Sequence, residues 1–94
     1  MRYRLVLTNR ADKQLEAIPL KQRRMILVWM AENLDGCENP KAVIGGKQIQ
    51  GTQNGWRYRV GSYRILARIE ESELQIEVVR IGHRQGVYGN LAGI

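Results

Sequence analysis

The chain has 94 residues, with 15 Lys or Arg against 9 Asp or Glu, a formal charge of +6 and 44% hydrophobic residues. That length suits one compact domain spanning residues 1–94 with a single core, and excludes a second domain. The charge points to an acidic partner such as nucleic acid; one cysteine, Cys37, and one histidine exclude an internal disulfide and a zinc-ligand cluster.

Met1-Arg2-Tyr3-Arg4 leads into a short strand, Tyr3 to Leu7, rather than a signal-peptide core, and no apolar run nears the roughly 18 residues of a membrane span. A cytoplasmic protein with no membrane partner, no metal and no cofactor is expected. Thr8 or Asn9 can accept the first free amides of a helix over about Arg10 to Ile18, which Pro19 ends. A second helix follows from Leu20 to Leu34. Leu20, Leu27, Ala31 and Leu34 form its apolar stripe, widened by Ile26 and Met30, and Asp35-Gly36 stops it. Residues 36–54 are rich in glycine and weakly periodic, so they read as a connection with one short strand near Lys47 to Gln50. Gly45-Gly46-Lys47 lacks the earlier glycine and the following Ser or Thr of a nucleotide loop.

The densest information lies between Gly55 and Arg68. Trp56 to Val60 and Tyr63 to Ile69 alternate with period two, and Gly61-Ser62 suits a two-residue hairpin turn of type II′. That turn sets Val60 opposite Tyr63, Arg59 opposite Arg64 and Arg57 opposite Leu66. Trp56, Tyr58, Val60, Tyr63, Ile65, Ala67 and Ile69 then share an apolar face, and Arg57, Arg59, Arg64 and Arg68 share the other. Like charges placed opposite each other cost up to about 1 kcal/mol per pair, so the arrangement calls for an anion, most naturally phosphate. Glu70 to Glu73 makes the next turn and Leu74 to Ile81 the last long strand. Pairing Ile69 with Leu74 puts Leu74, Ile76 and Val78 on the core face and Gln75, Glu77 and Val79 among the arginines, with Glu77 near Leu66. The whole is α+β: βααβββ, a mostly antiparallel four-stranded sheet with an N-terminal helical hairpin packed on one face. Gly86, Gly89 and Gly93 disfavour a stable terminal helix.

After the last strand comes Gly82-His83-Arg84-Gln85-Gly86-Val87-Tyr88, which would bring Arg84 and Tyr88 to the rim of the arginine face. These residues, with Lys47 to Gly51 and Trp56 to Ile65, resemble the RelE/ParE superfamily of bacterial toxins, and its RelE branch in particular. The resemblance implies the toxin of a type II toxin–antitoxin pair, a ribosome-dependent endoribonuclease (mRNA interferase). Such an enzyme enters the A site of the 70S ribosome and cuts the mRNA without a metal. The RNA 2′-hydroxyl attacks the adjacent phosphate, leaving a cyclic phosphate and a free 5′-hydroxyl. Arg64 matches the arginine that stabilises the phosphorane, Arg84 the one near the leaving oxygen, and Tyr88 the active-site tyrosine. Arg57 and Arg59 stand where many relatives carry two lysines, and with Arg68 and Lys47 they complete the implied RNA contacts. An arginine stays protonated, so the base that takes the 2′ proton must be another group: Tyr88, then His83, then Glu77, or a group of the ribosome. The implied partners are an acidic antitoxin and, only as the toxin–antitoxin complex, operator DNA. Two other functions fit the same charge: a ParE-like gyrase poison without nuclease activity, and a non-catalytic basic RNA-binding protein.

Overall fold

A computed structural model describes residues 1–83 and 86–89. The chain runs β1 (Arg4–Leu7), α1 (Asn9–Glu16), α2 (Leu20–Asn33), β2 (Gly46–Gln48), β3 (Gly55–Val60), β4 (Tyr63–Glu70) and β5 (Gln75–His83), with single 3-10 turns at Pro40–Ala42, Glu71–Glu73 and Gly86–Tyr88. The class is α+β as expected, but the sheet has five strands in the order β1-β5-β4-β3-β2. The connection supplies the fifth, because Lys47 pairs with Arg57 and extends the hairpin edge.

Local chemistry sets the boundaries. The Thr8 hydroxyl accepts from the Ala11 amide at 3.1 Å and caps α1. Pro19 precedes α2, whose first turn has no use for a proline amide. Gly61 sits at φ 60° and Ser62 does not share that hand, as a II′ turn requires. The β3–β4 register is the one the turn dictates, from Val60 opposite Tyr63 to Gly55 opposite Arg68.

Both helices cover one face of the sheet. Ala11, Leu15, Ile18, Ile26, Met30 and Leu34 pack on Tyr58, Val60, Ile65, Ala67, Ile76, Val78 and Ile81. The Tyr58 hydroxyl is fully buried and donates to the Pro40 carbonyl at 2.7 Å, which ties the connection to the core. Gly46 lies against the Tyr58 ring so closely that a Cβ there would stand 2.7 Å from it.

Two expectations need correction. The stripe of α2 that enters the core is Ile26, Met30 and Leu34, while Leu20, Leu27 and Ala31 face outward. This helix is apolar on both sides, so periodicity alone could not choose between them. The last strand is also in a different register: Ile69 pairs with Ile76, not Leu74, and Glu77 stands opposite Arg68, not near Leu66. Leu74 adopts φ 50° at the end of the 3-10 turn and so belongs to the loop. A β-bulge falls where the partners of Leu66 and Ala67 step from Arg80 to Val78. Val79 is the extra residue, and the phase of the strand reverses around it.

Candidate functional site: a cationic sheet face

The face of the sheet away from the helices carries the basic residues in rows. Lys47, Arg57, Leu66 and Arg80 stand opposite one another on successive strands, and Arg59, Arg64 and Gly82 form the next row. Neighbouring strands lie about 4.8 Å apart, so five cations fall within a patch the width of a few nucleotides. A small apolar cluster of Ile49, Leu66 and Val87, with Val79 and Tyr88 against it, floors this face. Gly82 leaves the space that Val87 fills, its absent Cβ lying 3.5 Å from that side chain.

Arg64 is held most firmly. It is only 9% exposed, and its Nη1 donates to the carbonyls of Tyr63 at 3.0 Å and Gly61 at 3.3 Å. Those acceptors are neutral, so they orient the guanidinium without cancelling its charge. Arg57 is half-buried and Arg59 exposed; among the described residues no carboxylate lies within ion-pair distance of Arg57, Arg59 or Arg64. Tyr88 arrives from the 3-10 turn and lines, with Lys47, Gln48, Ile49, Gln50 and Arg57, an open groove of about 450 Å³.

Three sequence-based assignments fare differently. Arg68 is engaged by two carboxylates, Glu77 at 2.6 Å and Glu70 at 3.0 Å, which offset its charge. Glu77 is the partner in that pair rather than a free base. His83 stands opposite Tyr63 and meets its ring edge-on at 5.3 Å, on the helix-covered side of the sheet, away from the arginines. Arg84 and the tail from residue 90 lie outside the described residues, so the expectations for them stay as stated.

One basic residue of the face was not anticipated. Arg80 is 6% exposed and donates from Nη1 to the Val87 carbonyl at 3.2 Å. Burial, with the charge of Arg10 behind it, pulls its guanidinium below the ordinary value. Continuing the alternation of Ile76 and Val78 would put Arg80 in the core; an arginine in core phase followed by an out-of-phase Ile81 was the available sign of a bulge. Among the described residues no three His, Cys, Asp or Glu side chains gather to hold a metal ion, and no helix is long and apolar enough to cross a membrane.

Two helices packed on one side of a five-stranded sheet make a fold similar to that of solved RelE structures. The RelE of the RelB–RelE antitoxin–toxin complex from Methanococcus jannaschii is similar at 26% identity and a TM-score of 0.68, over 89% of this chain and 95% of that one. The archaeal RelE–RelB complex from Pyrococcus horikoshii gives 22% identity and 0.72, over 90% and 98%. A free E. coli RelE carrying two arginine-to-alanine substitutions gives 19% and 0.73, over 92% and 87%. No curated protein sequence matches. The sequence model described as the ParE toxin of type II toxin–antitoxin systems matches residues 5–88, and the chain belongs to that family, within the RelE/ParE superfamily of toxins.

Proposed function

We propose that this toxin is a ribosome-dependent endoribonuclease that cleaves mRNA in the A site. The observation that carries the reading is the Arg59–Arg64 pair, directly opposed on the uncovered face with Arg57 and Lys47 alongside and Tyr88 across the groove. Uncompensated guanidinium groups so close together are costly in the free protein and become favourable when a phosphate enters. Their charge is worth more against a phosphorane than against the ground-state phosphodiester, which is the condition for catalysis.

In this mechanism Lys47, Arg57 and Arg59 hold the flanking phosphates. Tyr88 takes the proton of the 2′-hydroxyl as its own hydroxyl proton passes to solvent water, while the 2′-oxygen bonds to phosphorus. Arg64 binds the non-bridging oxygens as they gain charge. The bond to the 5′-oxygen then breaks, with Arg84 stabilising the leaving oxygen until it takes a proton from water. The products are a 2′,3′-cyclic phosphate and a 5′-hydroxyl. An acidic antitoxin would silence the toxin by covering the cationic face, in keeping with the RelB–RelE complexes that share the fold.

The test is to add the purified chain to a translating bacterial lysate and map mRNA 5′ ends by primer extension. New ends inside A-site codons that vanish with Arg64→Ala or Arg84→Ala support the nuclease. The family match favours one other reading, a gyrase poison. Intact mRNA together with trapped gyrase–DNA complexes would establish that instead, and intact mRNA with RNA retention alone would leave a binding protein.

A further inference from the structure

The basic residues of the uncovered face stop short of its far end. Counted from the hairpin turn, the row of Arg59, Arg64 and Gly82 and the row of Lys47, Arg57, Leu66 and Arg80 hold five cations and no carboxylate. The next row sets Arg68 opposite Glu77, and the last sets Glu70 opposite Gln75 and Gln75 opposite Arg4. Those two rows hold two cations against two carboxylates, so the charge of the face falls away within about 7 Å, the step from one row to the next. The Glu71–Glu73 turn that follows adds two more carboxylates, of which Glu71 meets Lys41 at 2.8 Å.

The geometry of Arg68 makes that change abrupt. Its guanidinium meets Glu77 Oε1 at 2.6 Å through Nη2 and Glu70 Oε1 at 3.0 Å through Nε. The three side chains are between 24% and 37% exposed, so salt screens these pairs less than fully exposed ones. Two carboxylates on one guanidinium leave a net negative charge, which a phosphate moving along β4 from Arg64, about 13 Å away, would meet. In the basic rows, by contrast, the groove sets Ile49 and Tyr88 beside Lys47 and Arg57. An unstacked base suits such a place, whereas a base inside a duplex is already stacked. The ligand that offers both phosphates and free bases is a single strand.

We propose that Glu70 and Glu77 are the border of the RNA path: they keep Arg68 off the phosphates and confine a single-stranded RNA to the two basic rows. The strand then crosses the sheet near the hairpin turn instead of following β4. The choice of RNA rests on the nuclease reading; the border belongs to the face and acts on any single-stranded polyanion. With Arg68 released, the face would hold phosphates over one more row, and the chain would slide from Arg64 toward it. The two carboxylates thus lower affinity and sharpen placement.

The test binds the purified chain to a 2′-O-methyl RNA of about ten nucleotides, which 2′-hydroxyl attack cannot cut, and follows fluorescence anisotropy from about 50 mM to about 200 mM salt. Glu70→Gln/Glu77→Gln should bind at least about fivefold tighter at the low end and steepen the slope of log K against log salt by about 0.7, the share of one phosphate in a single strand. Glu77→Gln alone, which breaks the shorter pair, should steepen it in the same direction. Adding Arg68→Gln to the double variant should return the slope to that of wild type, and Arg68→Gln alone should leave it unchanged. Circular dichroism checks that each variant is folded. A double variant with the wild-type slope, a triple variant that keeps the steeper one, or a wild-type chain that does not bind the RNA at about 50 mM salt would overturn the proposal. So would a shallower slope for Arg68→Gln alone, which would show that Arg68 already touches phosphate. No arm needs a ribosome: intact mRNA in the lysate would remove the nuclease and leave the border, whereas a wild-type slope in the double variant would remove the border and leave the nuclease.

Discussion

The Arg80 guanidinium donates to the Val87 carbonyl, 3.2 Å away, and so fastens the turn that carries Tyr88 to the last strand of the sheet. The Val79 bulge makes this possible by rotating Arg80 out of the core. Replacement by Met should remove the fastening while keeping the bulk. Arg80→Met is expected to stay folded, because an apolar side chain of similar length is well tolerated at a buried site, yet to lose at least about tenfold in single-turnover cleavage. Chemical denaturation alongside the cleavage assay checks both halves.

Arg64 and Arg68 both lie on the cationic face, but only Arg68 is neutralised by carboxylates. Arg64→Ala should lower cleavage about 100- to 1000-fold, the usual cost of losing one preorganised transition-state donor. Arg68→Ala should change it by less than about threefold, in keeping with a side chain already engaged in ion pairs. Comparable losses from the two substitutions would show that charge density, not placement, matters.

Tyr88→Phe keeps the ring against Val87 and removes the proposed proton acceptor. Single-turnover cleavage should fall at least about tenfold with ribosome binding unchanged. His83→Gln, on the other side of the sheet, should be close to wild type. Reversed results would move the acid–base work to the imidazole.

Burial raises the Tyr58 hydroxyl well above the ordinary tyrosine value of 10.0, its charged form being disfavoured in the core. Below pH 10 the phenol is neutral in both folded and unfolded chains, so its contribution to stability is intact. Above pH 10 only the unfolded chain ionises, and stability should fall by up to about 1.4 kcal/mol per pH unit until the folded value is reached. Tyr58→Phe should flatten that alkaline fall while costing about 1 kcal/mol at neutral pH through the lost Pro40 hydrogen bond. Urea titrations across this pH range measure both effects.

How much of this was legible in the sequence depends on how far each feature rests on local rules. The Gly61-Ser62 turn fixes the β3–β4 register, and with it the opposition of Arg59 and Arg64. Thr8 and Pro19 announce their helix ends. The register of β5 was not legible, because Leu74 takes a left-handed backbone that a leucine does not advertise, and Ile69 meets Ile76 instead of Leu74, a slip of two residues that moves every partner but keeps its face. His83 and Arg80 lie on the faces opposite to strict alternation for a separate reason: the Val79 bulge inverts the alternation that would have placed them. The buried side of α2 was ambiguous because apolar residues lie on both sides of it. Arg68 looked like its neighbours until the fold brought Glu70 and Glu77 to it.

β1 finds its sheet neighbour in β5, the last strand in the chain, in parallel pairing from Arg4 with Gln75 to Leu7 with Val78. A nascent chain emerging from the exit tunnel therefore carries β1 unmatched until β5 has also emerged. A toxin proposed to attack translation thus closes its sheet only after the ribosome has let go of β5.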